Sequence, residues 1–137
     1  MSDNLKELDA FIGNWPDSPD QNKATFIRLK NFLAALPGTV LEYVPREGVT
    51  YSLRARHANQ KNRPLFAMAD VIEDDPRWLS VCFFGELITD PEDAGEYAPG
   101  GLFGEDAICF DIMEFDENAV AYVEARLAEA HANAAKG

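Results

Sequence analysis

A chain of 137 residues, 47% hydrophobic and 26% charged, carries enough apolar side chain to bury a core without covalent or metal staples. Its formal net charge of −12 comes from 24 acids against 12 bases, a balance that disfavours nonspecific binding to DNA, RNA or anionic lipid, since polyanions are held by Lys and Arg. No apolar run approaches the roughly 20 residues of a membrane span, so the reading excludes both nucleic-acid and membrane partners.

The opening, MSDNLKELDA, is polar and acidic and lacks the basic start and apolar core of a secretory leader, so a cytoplasmic location is expected. Leu5, Leu8, Phe11, Ile12 and Trp15 then recur at three- and four-residue intervals, the stripe of a short amphipathic helix. In PDSPDQN, Ser18, Pro19 and Gln21 have the spacing of a capping box, which predicts a second helix running to about Leu36 before Pro37 and Gly38 stop it.

After Gly38 the period changes from helical to alternating. TVLEYV reads as a first strand and VTYSLRARH as a second, with Val49, Tyr51, Leu53 and Ala55 facing one way and Thr50, Ser52, Arg54 and Arg56 the other. PLFAMADVI and RWLSVCFF are apolar on both faces and are expected at the middle of the sheet. A glycine- and proline-rich connection from Gly85 to Glu105 is expected to be a functional loop or a covering flap, with a short helical turn of its own possible in sequence terms. AICFDIMEF is the last strand, and Asp116 caps a closing helix whose buried stripe is Ala119, Val120, Val123, Leu127 and Ala130, with AHANAAKG fraying at its end. The sum is one α+β domain over residues 1–137, with an antiparallel sheet of five to six strands, two N-terminal helices and one C-terminal helix.

The charge is unevenly spread. Residues 1–69 hold nine bases and seven acids, whereas 70–117 hold fifteen acids and the single base Arg77. Such a layout suits a cationic partner or a metal, and it equally suits a solvated acidic surface. Glu73, Asp74 and Asp75 form the candidate cation cluster, although the spacing of a calcium loop is missing. Cys82 and Cys109 lie singly in apolar strand runs and are expected to be reduced and buried. Nucleophile-elbow, P-loop and zinc-protease signatures are absent, and His57 reads either as a strand-end surface residue or as a general base. Tyr51, Leu53, His57, Trp78, Phe84 and Phe103 are the expected lining of a ligand pocket beneath the 85–105 connection.

SVCFFGELITDPE, then GGLFGEDAICFDI, then FDENAVAYVEARLAEA resemble the C-terminal half of the YdhG-like domains, small bacterial proteins with a strand ending in Phe-Phe, a Leu-x-Asp-Pro turn, a Gly-Leu-Leu-x-Gly loop and a closing strand and helix. GVTYSLRA and RPLFAMADV sit where that family has its first hairpin strands, so the resemblance covers about two-thirds of the chain, from about Leu36 onward. Where the family tends to have a Gly-Lys pair after its loop, Glu105 and Asp106 stand here. The resemblance implies binding or regulation instead of catalysis, and some family members are similar to frataxin in fold and act in iron delivery with acidic surfaces. A protein or small-molecule partner is therefore expected, with the chain a monomer or homodimer and with no cofactor beyond weakly held iron or another divalent cation. A small-molecule enzyme with its pocket under the 85–105 connection is the remaining alternative.

Overall fold

The computed structural model describes residues 2–137. Two helices, α1 (Ser2–Gly13) and α2 (Asn22–Ala35), precede strands β1 (Thr39–Arg46), β2 (Thr50–His57), β3 (Ala67–Ile72) and β4 (Trp78–Phe84). One helical turn at Gly85–Leu87 then leads to β5 (Glu96–Leu102), β6 (Glu105–Ile112) and the closing helix α3 (Glu117–Ala134). The six strands form one sheet in the order β1-β2-β3-β4-β6-β5, antiparallel at every pairing. The fold is α+β, with β3 and β4 at the centre as their apolar runs predict.

Period-2 alternation decides which side of the sheet is dry. Leu53, Ala55, Ala69, Val71, Val81 and Phe83 point to one face and are buried to within 2%. All three helices pack on that face: Phe11 of α1 stacks on Tyr51, His131 of α3 lies beside His57, and Tyr122 of α3 meets Phe110 edge-on. Leu8, Phe26, Leu29, Leu33, Val123 and Leu127 complete the core. The opposite face has no helix over it.

The capping box does not form. Gln21 adopts a left-handed backbone with φ 60° and makes no side-chain cap. Asp20 takes the role instead: its Oδ1 accepts the Ser18 hydroxyl and the Asn22 N–H, both at 2.8 Å. Asn22 is fully buried, and its Nδ2 donates to the carbonyls of Arg77 (2.8 Å) and Met113 (2.9 Å), tying the start of α2 to the beginning of β4 and the end of β6. At the other end, Asp116 caps α3 as expected, accepting the Ala119 N–H. The C-terminal turn of α3 is docked and does not fray, because Ala134 is buried and Asn133 Nδ2 donates to the Leu87 carbonyl at 2.8 Å. Arg28 clamps α2 to α3 by bonding both Glu117 and Glu124, and those two carboxylates raise its already high pKa further.

Both sheet edges are blunted. The Asn4 side chain engages β1 as a strand would, donating to the Tyr43 carbonyl and accepting the Tyr43 N–H. The opposite edge is β5, which carries Pro99 and two glycines and shifts register between Ala98 and Leu102, features that discourage pairing with another chain. No helix among the described residues is long and apolar enough to cross a membrane.

Candidate functional site

On the uncovered face, residue-for-residue pairing lines outward side chains into rows across the sheet. One row runs Glu42, Arg54, Met68, Cys82, Cys109 and Glu96; the next runs Val44, Ser52, Asp70, Ser80 and Asp111. An antiparallel sheet with one solvated face ordinarily shows polar residues there. This face mixes them with half-buried Met68, Ile72 and Trp78.

At one end of the face a cleft of about 120 Å³ opens between β1, β2, the 58–66 connection and the β5–β6 hairpin tip, lined by Val40, Glu42, Arg54, Arg56, Pro64, Leu65 and Phe103. Phe103 forms its roof. Its backbone is left-handed with φ 50°, followed by Gly104 at φ 83°, so both central residues of the two-residue hairpin have positive φ. That pattern is the one that favours Asn-Gly, and a bulky residue in it is an outlier of the sort that clusters at working sites. The ring stands 57% exposed, with the Arg54 guanidinium 5.7 Å from its centre and the Phe84 ring 6.5 Å away. Arg63 braces the roof from below. Its guanidinium lies over Phe84 at 5.2 Å and joins Glu86 and Glu105, the latter at the first position of β6.

Beside the cleft Arg54 Nε is enclosed by protein and meets no hydrogen-bond partner, while Ser52 and Asp70 face one another across β2 and β3 in the next row. Ser52 is 3% exposed although it sits on the uncovered face. Burial raises the Asp70 carboxyl above its ordinary value, with the neighbouring Ser52 hydroxyl and the Arg54 and Arg46 cations pulling the other way. Unsatisfied buried polar atoms are scarce in folded proteins and each calls for a reason.

The six expected pocket residues do not share a cavity. Trp78, Phe84 and Phe103 are on the uncovered face, whereas Tyr51, Leu53 and His57 alternate to the helix-covered face. Leu53 is core. Tyr51 donates its hydroxyl to Glu73 Oε1 at 2.9 Å, and its ring helps to enclose Arg77. His57 is 8% exposed, accepts the Asn59 N–H on Nδ1 at 3.0 Å and packs against His131. Its Nε2 lies 2.8 Å from where a Cβ on Gly38 would stand, so the glycine at φ +76° is what admits the ring. His57 is therefore wedged on the far side of the sheet from Phe103.

The acidic triplet is likewise dispersed. Glu73 is bound by Arg77 and Tyr51, which outweigh its desolvation and lower its pKa, while Asp74 accepts the Trp78 indole N–H at 3.2 Å and the Asp75 N–H at 2.9 Å. Among the described residues no group of three or more His, Cys, Asp or Glu side chains converges as metal ligands do. The two cysteines are joined: Cys82 and Cys109 oppose one another across β4 and β6 with Cα atoms 4.1 Å apart and form a disulfide. Reduced, separate thiols were the expectation. The spacing of 27 residues gave no hint of the bond, because it arises from strand register.

The 85–105 connection is a tethered strap, and its second half is the edge strand β5. Asp90 accepts the Tyr122 hydroxyl and the N–H groups of Ala94 and Gly95; burial alone would raise its pKa, and these bonds outweigh it and lower it. Under this strap, against β6 and α3, lies a second cleft of about 270 Å³ with Phe110, Tyr122 and Val123 on its floor and Glu92 and Asp116 on its rim. None of the six expected pocket residues lines it.

Arg54, Arg56 and Leu65 escaped sequence reasoning as site residues. The available signal was two arginines on the outward face of β2 in a chain with twice as many acids as bases. That they have no ion-pair partner is visible only in three dimensions. Comparison with protein-family models, with curated proteins and with solved structures finds no match for this chain.

Proposed function

We propose that the protein is a non-catalytic binding protein of the kind that the resemblance to YdhG-like domains implies, and that its ligand site is the uncovered-face cleft under Phe103. The observation that carries this reading is a cleft walled by Arg54 and Arg56, neither of them in an ion pair among the described residues, under an exposed aromatic in a left-handed conformation. A bound ligand gives the two arginines a partner and covers the ring. Catalysis is disfavoured by the lining itself. It holds no Ser, Cys, Lys or His, so no nucleophile–base pair faces the cleft.

The disulfide bears on location. Such bonds persist where thiols are not kept reduced, so an oxidising compartment suits the chain better than the cytoplasm that its opening residues suggest.

Thermal unfolding in the presence of a broad panel of small metabolites tests the reading, since any ligand that binds only the native state raises the midpoint. At least one compound class should stabilise the wild type and fail to stabilise Phe103→Asn and Arg54→Ala. A panel without a single stabilising compound, stabilisation that survives in both variants, or turnover of a panel member would contradict it.

A further inference from the structure

The charge inventory identifies what the cleft prefers. In a chain with 24 acids and 12 bases, every arginine has carboxylates to choose from. Arg28, Arg63, Arg77 and Arg126 each pair with at least one. Arg46, Arg54 and Arg56 pair with none among the described residues; Arg46 ends β1 outside the cleft lining, while Arg54 and Arg56, two residues apart on the outward face of β2, line it. Arg54 stays unpaired even though Glu42 is its cross-strand neighbour on β1. Two arginines and one glutamate on the cleft wall leave a local excess of positive charge inside a strongly negative protein.

We infer that the cleft takes the carboxylate of a small free organic acid, held by Arg54 and Arg56 with its apolar body against Phe103, Leu65 and Pro64. This inference rests on the binding reading above. A guanidinium presents a planar fork of N–H groups that matches the two oxygens of a carboxylate, and no carboxylate of the described residues pairs with Arg54. Arg56 adds a second positive group on the same wall. Val40, Pro64, Leu65 and the Phe103 ring supply apolar surface, which a hydrated inorganic anion does not use. A monoanion also meets less repulsion from the rest of the chain than a phosphate dianion does. A space of about 120 Å³ equals about four waters at their liquid share of about 30 Å³. It has room for a carboxylate and a short chain or single ring, with any longer body emerging over the sheet.

Isothermal titration of the full chain with benzoate and pentanoate, set against benzamide, benzylamine and inorganic phosphate at low salt, decides the matter. The carboxylates should bind roughly tenfold or more tightly than benzamide, which keeps the ring and loses the charge. Arg54→Lys retains the charge and loses the fork, and should weaken benzoate by roughly tenfold while unfolding within a few degrees of wild type. Arg56→Gln should weaken it several-fold. Equal binding of benzamide, indifference to Arg54→Lys, or no carboxylate binding at millimolar concentration overturns the inference. A neutral or cationic compound that occupies the cleft would remove this inference and leave the binding reading standing. If neither these probes nor any member of the metabolite panel binds, both fall.

Discussion

The Arg54 guanidinium lies 5.7 Å from the centre of the Phe103 ring, and the ring is presented there by a backbone conformation that phenylalanine rarely adopts. Strain of this kind costs about 1 to 3 kcal/mol where it is imposed on a bulky residue. Phe103→Asn places at the hairpin tip the residue that such a turn favours. The variant should be at least as stable as wild type by chemical denaturation, gaining up to about 1 kcal/mol, and should lose ligand binding by more than roughly tenfold. A variant that is less stable and still binds would show that the ring is a packing element.

A second aromatic contact is structural. Arg77 is boxed by Phe11, Trp15 and Tyr51, its Cζ 4.9, 5.4 and 5.2 Å from the three ring centres, and its Nη2 reaches Glu73 Oε1 at 2.9 Å. The box fastens α1 to the sheet. Arg77→Ala should destabilise the fold by about 1 to 3 kcal/mol and loosen α1 first. Hydrogen exchange across residues 4–13, compared with β3 and β4, reads out that order.

The Cys82–Cys109 disulfide closes a loop spanning β4 to β6. With the two positions 27 apart in sequence, loop-closure entropy assigns it about 3 to 4 kcal/mol, an upper figure because both strands are already paired in the sheet. The double variant Cys82→Ser, Cys109→Ser should unfold at lower denaturant by about 2 to 4 kcal/mol, and dithiothreitol should bring the wild type to the same midpoint. Alkylation of both cysteines in the native, unreduced protein would contradict the bond.

Asp70 gives a pH signature of definite sign. Its folded-state pKa is raised by burial, so the native state binds a proton more tightly than the unfolded chain does. The carboxylate therefore costs stability above its folded pKa, and the cost vanishes as pH falls below the unfolded value of about 3.9. Asp70→Asn should raise the unfolding midpoint at pH 7 and converge with wild type near pH 3. Glu73 and Asp90 have lowered values and act oppositely, contributing stability at neutral pH that is lost as the solution is acidified through their folded pKa values. An Asp70→Asn difference that is constant with pH would show that the effect is one of packing.

Much of this architecture is written in local periodicity. The change from a three-to-four-residue to a two-residue repeat after Gly38 marks the end of helices and the start of the sheet, and the apolar runs around Val71 and Val81 identify its central strands. Three features escape that periodicity. The Asp20 cap replaces the expected Ser18–Gln21 box because Gln21 takes a left-handed turn. The edge strand β5 is hidden by EYAPGGL, whose proline and glycines read as loop and are tolerated because one side of that strand is unpaired. The disulfide depends on Cys82 and Cys109 falling into register across β4 and β6. Of the six expected pocket residues only Phe103 lines the cleft. Phe84 packs beside Phe103, while Tyr51 and Leu53, read as sharing one face of β2, turn with His57 to the side that the helices cover.

The most direct measurement is an amide chemical-shift titration of the isotopically labelled chain with benzoate. Perturbations should gather at Val40, Arg54, Arg56, Leu65 and Phe103, saturate together, and leave the Tyr122 cleft and the Arg77 box unmoved. Shifts that centre on Glu92, Phe110 and Tyr122, or a spectrum unchanged at millimolar benzoate, would contradict the assignment of the uncovered-face cleft as the binding site.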